Sequence, residues 1–425
     1  LQTGKGTKPV TRTSAFPVQE IREQFPALQR TYQAKPVAYL DGPGGSQVVA
    51  ASMQAVFRYM ENGGANLHGA FPTSRETEAI IADARQAVAD LLDAAPEEVA
   101  FGANMTTLAF AIARALSRFW QPGDEIILSE LDHRANVDPW LTAALDRGVL
   151  VRWLKADPET LTLATEELDT LLTEKTRLVA VGLASNAVGT INDVARIARA
   201  ARRVGAVVAV DAVHAAPHMA ISCKQLGADI LLCSAYKFFG PHVGMAVIRQ
   251  SLFESLKTYK LAPAPGYIPD KLETGTQNHE GIAGIAPAID FIASLGTGAN
   301  RRERLVDAFS RLEKYENHLA DVLRSELQQI AGVKLFQAGA HVPKTPTIAF
   351  RLEGIDPEEA CLRMAEEHSV FIASGDFYAS RLAELAGLAD KGGWIRAGIA
   401  PYNTEEEIRR LAQGIAQMVR ARKEV

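Results

Sequence analysis

Short apolar runs alternate with amphipathic stretches over roughly residues 80–250. Glu125–Leu128, Val149–Leu154, Leu178–Leu183, Ala206–Val210, Ile230–Cys233 and Met245–Arg249 have the length and composition of strands buried on both faces. The clearest helix between them is predicted over Asp193–Val204. There Val194, Ile197, Ala198, Ala201 and Val204 share one face, and Gly205 supplies the stop. Such alternation predicts an α/β fold, a mainly parallel sheet with helices on both faces. Near residue 298 the pattern changes. A long charged helix over Arg301–Ile330 precedes strands at Thr347–Leu352, Val370–Ala373 and Trp394–Ala397 and helices at Pro357–His368 and Thr404–Val419. Three parts are expected: an N-terminal leader segment (1–35), a large domain (36–297) and a small α+β domain (298–425). No internal repeat or low-complexity block is seen.

Composition narrows the classes. Apolar residues at 47% and charged residues at 22% allow an ordinary globular core, and a net charge of −5 gives no footprint for nucleic acid. No apolar run approaches the length of a membrane span. The opening LQTGKGTKPVTRT lacks the apolar centre of a secretory signal and reads as a disordered leader. Cys223, Cys233 and Cys361 are too few and too scattered for a disulfide framework or a zinc cluster, and they suit a reducing cytoplasm.

In an open α/β sheet, ligands bind beyond the carboxyl ends of the strands. One predicted strand ends in Asp211-Ala-Val-His214, another in Ser234-Ala-Tyr-Lys237. Pyridoxal 5'-phosphate needs such a pair: a lysine amine to form a Schiff base and a carboxylate to face the pyridinium nitrogen. An acid and a lysine on unrelated loops would look the same, so the neighbouring segments matter. Phe101-Gly-Ala-Asn-Met105-Thr106 opens a helix, where backbone N–H groups suit a phosphate, although a simple threonine cap also would do. His133 follows the run ending at Leu128 and offers a ring to stack on a pyridine. Asn186 follows Leu183 and offers an amide to a phenolic oxygen.

With these segments in order, the chain resembles the class V aminotransferase family of fold-type I enzymes, in particular its cysteine desulfurase-like members. The resemblance runs from about Tyr39 to Val419. It includes Tyr39-Leu-Asp-Gly-Pro-Gly-Gly-Ser, Asn66-Leu-His68, Ser129–Trp140, Ser185-Asn186, Asp211–His214, Ser234–Lys237, Glu273-Thr-Gly-Thr276-Gln-Asn and Arg396 ahead of Tyr402-Asn-Thr. It implies a large domain with a mainly parallel seven-stranded sheet, a small C-terminal α+β domain and pyridoxal phosphate as cofactor. Lys237 is implied as Schiff-base lysine and proton shuttle, Asp211 as partner of the pyridinium nitrogen and His133 as stacking ring. Asn186 and His214 are implied at the phenolic oxygen, and Met105 (through its N–H), Thr106 and Ser234 at the phosphate. Thr276 is implied at the phosphate of a neighbouring subunit in a homodimer with shared sites. Arg396 and Asn66 are implied at the amino-acid substrate, with the guanidinium fork on its carboxylate.

One departure limits the chemistry. Cysteine desulfurases carry a loop cysteine that becomes a persulfide. The corresponding segment here, Phe371-Ile-Ala-Ser-Gly-Asp376-Phe377-Tyr378, has none. Cys361 is spaced as a packing residue on the preceding helix. Without a thiolate, persulfide transfer lacks its acceptor. Three functions stay open: a lyase cutting a Cβ–S or related bond without a persulfide, an aminotransferase or epimerase, and a non-catalytic relative. There is no GxxxxGK[ST], HExxH or GxGxxG to support a nucleotide, zinc-protease or hydride-transfer alternative.

Overall fold

A computed structural model describes residues 16–423. Seven strands form the main sheet: β1 (Val99–Gly102), β2 (Glu125–Ser129), β3 (Leu150–Leu154), β4 (Thr176–Gly182), β5 (Val207–Asp211), β6 (Ile230–Ser234) and β7 (Gly244–Ile248). Their order is β3-β2-β4-β5-β6-β7-β1. β3 through β6 run parallel, whereas β7 is antiparallel to both β6 and β1. The reversal follows from chain length. Only residues 235–243 join β6 to β7, too few for the crossover that a parallel neighbour requires.

The central strands are closed on both faces, which explains their unbroken apolar sequences. The helix expected after Asp193 spans Val194–Arg202. Asp193 caps it by accepting the Arg196 N–H at 2.9 Å, and Gly205 turns the chain with φ of 73°. The fold class expected from the sequence is therefore present, with the seven-stranded sheet in a large α/β layer.

Helix α1 (Arg301–Gln328) leads to the smaller sheet of β8 (Val333–Phe336), β9 (Thr347–Leu352), β10 (Ala373–Gly375) and β11 (Trp394–Gly398). Its order is β8-β9-β11-β10, antiparallel throughout. Helices α2 (Pro357–His368) and α3 (Glu405–Lys423) accompany it. The single strand expected over Val370–Ala373 divides in two. Val370–Phe371 pairs in parallel with Ala38–Tyr39, and only from Ala373 does the chain join the small sheet. Residues 38–41, far away in sequence, thereby sit beside Arg396.

The first 15 residues, which hold the expected disordered opening, lie outside the described residues. The part of the N-terminal segment that is described is packed. Ile21 and Phe25 are wholly buried, and Phe25 meets Phe239, Phe291 and Tyr402 edge to face. No helix among the described residues is long and apolar enough to cross a membrane.

Candidate active site

The carboxyl ends of β2, β4, β5 and β6 open on a cavity of about 380 Å³ that β10, β11 and the segment after β10 close from the other side. The strand-end rule and this cavity therefore point to the same place. Of the residues singled out from the sequence, Met105, Thr106, His133, Asn186, Asp211, His214, Lys237 and Arg396 line this one cavity. Ser234 lies just behind the wall, where its Oγ accepts the Met105 N–H at 3.1 Å. Asn66 and Thr276 do not reach the cavity. They line a separate surface cleft with His68, Glu273 and His279.

Lys237 follows β6 in a single tight turn. Its Nζ donates to the carbonyls of Pro43 and of Gly44, the latter at 3.2 Å, and lies 4.8 Å from the Tyr236 ring centroid. Burial pushes its amine down to about 8. The Arg396 cation adds to this, and Asp41 and Asp211 oppose it. Asp211 closes β5 and accepts the Val213 N–H at 2.8 Å. Burial raises its carboxyl to about 6, against the pull of Lys237, so it is mainly ionised at neutral pH.

His133 accepts the Ala135 N–H on Nδ1 at 2.9 Å. Burial, aided by the Lys237 and Arg396 cations, pushes it down to about 4, which keeps the ring neutral. Its neighbour Asp132 went unnoticed in the sequence. That carboxylate lines the cavity, accepts from Asn136 at 2.7 Å, and burial pushes it up to about 7. The only signal available was its place between a strand end and the histidine.

The helix Met105–Leu116 begins at the cavity wall. Asn104 caps it by accepting the Thr107 N–H at 2.9 Å. Gly244 makes this close approach possible, because a Cβ there would lie 2.2 Å from the Asn104 carbonyl carbon. His214 is buried and turns Nε2 to the hydroxyls of Thr345 and Thr347, at 3.0 and 2.9 Å. Burial holds it well below the usual histidine range.

Arg396, on β11, is 3% exposed. It donates to the Asn186 carbonyl at 3.0 Å and to Asp41 at 3.1 Å, while its buried Nε has no partner among the described residues. The side-chain amide of Asn186 donates to the Phe377 carbonyl at 2.8 Å. Phe377 and Tyr378 both have left-handed backbone, with φ of 53° and 58°, a conformation that strains non-glycine residues.

The chemistry of this set suits pyridoxal phosphate. A buried amine of lowered basicity, an ionised acid on the neighbouring strand, a neutral ring and a helix N-terminus surround one cavity. The Arg396 guanidinium belongs to the lining of the same space. None of the three cysteines lines it.

A family model described as aminotransferase class-V matches residues 38–411. The chain is 32% identical over 413 residues to an uncharacterized protein of Mycobacterium tuberculosis, covering 95% of this chain and all of the relative. It is 32% identical over 405 residues to an aminotransferase-like protein of Gibberella zeae, covering 93% of this chain and 97% of the relative. A cysteine desulfurase of Yersinia pseudotuberculosis is 29% identical over 422 residues, with 95% and 98% coverage. Among solved structures, the Escherichia coli cysteine desulfurase CsdA superposes with a TM-score of 0.84 at 26% identity, over 96% of this chain and all of that one.

Proposed function

The chain belongs to the aminotransferase class-V family and is a pyridoxal-phosphate enzyme of its cysteine desulfurase-like branch; from that premise we propose that it cleaves a Cβ–S or related Cβ bond of an α-amino acid without passing sulfur to a cysteine. The observation that carries this reading is the segment Gly375–Tyr378. It brings Phe377 and Tyr378 to the cavity and no thiol. Cys223 and Cys233 are buried elsewhere. The half-buried Cys361 has its thiol pushed up to about 11 by burial, so it supplies almost no thiolate at neutral pH.

When bound, pyridoxal phosphate supplies an electron sink for negative charge at the substrate α-carbon. In this reading Lys237 holds the cofactor and then moves the proton at that carbon, a task helped by an amine basicity near 8. Asp211 would pair with the ring nitrogen and His133 would stack on the ring. Met105 N–H, Thr106 and Ser234 would hold the phosphate, Asn186 and His214 would serve the phenolic oxygen, and Arg396 would take the substrate carboxylate. Asn66 and Thr276, in their separate cleft, serve the site of a second copy, Thr276 at its phosphate and Asn66 at its substrate. The exposed Leu261 in that cleft, with the nearby exposed Tyr267, supports a homodimer. The unpaired thiols suit a cytoplasmic setting.

A second reading, as aminotransferase or epimerase, draws support from the Gibberella zeae relative, whose description is aminotransferase-like. A panel of amino acids and sulfur analogues, including cysteine sulfinate, separates the two. The lyase releases a sulfur species together with alanine, or with pyruvate and ammonia. Keto acid formed only when an amino acceptor is present, or Cα deuterium exchange without bond loss, overturns it.

A further inference from the structure

Phe377, Asn186 and Arg396 close a circuit of contacts across three parts of the chain. The Phe377 ring covers the Arg396 guanidinium, with the carbon centre 3.7 Å from the ring centroid. Arg396 donates to the Asn186 carbonyl at 3.0 Å, and the Asn186 amide donates to the Phe377 carbonyl at 2.8 Å. Asp41 accepts from another edge of the guanidinium at 3.1 Å. The strained backbone of the segment is held from both sides. Tyr378 donates its N–H to Asp376 at 2.9 Å, and its carbonyl accepts the Arg134 N–H at 2.8 Å.

From this geometry we propose that Phe377 is a positioning and specificity residue for the substrate carboxylate, acting as the roof of the Arg396 receptor. The inference rests on the reading of Arg396 as that receptor and adds to it. A guanidinium recognises a carboxylate through two parallel N–H donors in one plane. Asn186 and Asp41 fix two of its five N–H groups within that plane. Neither covers its face. The stacked ring does, and by excluding water from one face it strengthens each remaining donor. The N–H groups of the outer nitrogens that Asn186 and Asp41 leave unused are then held in place for an arriving carboxylate. The segment that lacks a thiol thus has a different duty: it selects α-amino acids over simple amines.

The test uses holoenzyme and two probes, L-alanine and ethylamine, which differ by the carboxylate alone. Binding is followed through the cofactor's absorbance rather than turnover. Phe377→Leu keeps the backbone demand and removes the ring. It is expected to raise the apparent Kd for L-alanine about tenfold and to leave that for ethylamine within about twofold. Phe377→Tyr is expected to restore L-alanine binding. Equal weakening of both probes, or no change in either, overturns the proposal. Arg396→Gln separates the two layers. If it weakens L-alanine selectively while Phe377→Leu does not, only the role of Phe377 fails. If it changes neither probe, the receptor reading fails and the roof with it.

Discussion

The basicity of Lys237 is set by identifiable neighbours, so its response to their removal can be worked out in sign. The amine lies at about 8 rather than the ordinary 10.5, a displacement of roughly 3 kcal/mol at 1.36 kcal/mol per unit. Burial is the largest cause and the Arg396 cation the next, while Asp41 and Asp211 pull the other way. Arg396 and Asp41 are also paired with each other. Arg396→Gln therefore removes a cation and frees an anion, and both changes push the amine up. Asp41→Asn removes an anion and frees a cation, and both push it down. Each displacement is expected to be on the order of one unit, the size that a single neighbouring charge produces. The assay is trace reductive methylation of the cofactor-free protein across pH, with the Lys237 peptide quantified by mass spectrometry. The parent protein is expected to label with a midpoint of about 8, Arg396→Gln above it and Asp41→Asn below it. A midpoint near 10.5 in all three, or shifts of the same sign in both variants, would refute the electrostatic account.

Other consequences are independent of that one. Gly244→Ala drives a Cβ into the Asn104 backbone, so the helix start at Met105 must move; cofactor affinity should fall at least about tenfold by absorbance titration, and unchanged affinity would separate that helix from the phosphate. His218 bonds the fully buried Glu316 at 2.9 Å, and Glu316 Oε1 has no partner among the described residues. His218→Phe should cost about 3–5 kcal/mol in denaturant unfolding, with Glu316→Leu added to it recovering most of the loss; a single variant as stable as the parent would show that the pair is not the support it resembles. If two copies share their sites, mixing Lys237→Ala chains with Thr276→Ala chains should regain activity that neither has alone, since one site of each mixed dimer is whole; no regain on exchange of subunits would place Thr276 outside the chemistry.

Much of this site could be read in the sequence because strand ends in a parallel sheet carry their position with them. Asp211, Lys237, His133 and Asn186 each follow an apolar run, and each run is a strand whose carboxyl end meets the cavity. What was not legible came from distant pairing. Asp41, within a quoted motif, reaches Arg396 only because Ala38–Tyr39 adds to Val370–Phe371, and nothing local in either segment announces the partner. Asp132 was hidden for another reason. An acid beside a strand end is ordinary, and only its complete enclosure, with Asn136 and the Asp211 charge nearby, makes it unusual. The reversal of β7 could be argued afterwards from the short connection, but apolar content alone cannot give a strand's direction.

The charges in the cavity also bear on why one constellation can serve several outcomes. Two cations, Lys237 and Arg396, face three carboxylates, Asp41, Asp132 and Asp211, around the same space. Burial raises Asp132 to about 7 and Asp211 to about 6, so of these two buried acids Asp132 is the less readily ionised. That difference leaves Asp132 as the acid more able to exchange a proton near neutral pH. The segment Gly375–Tyr378 borders the same cavity, where strained backbone holds Phe377 against Arg396 and leaves Tyr378 two-thirds exposed, at 68%. Under the proposed lyase reading, the buried groups would handle the proton at the α-carbon, and the choice of bond broken afterwards would fall to this segment and to the leaving group that the substrate brings.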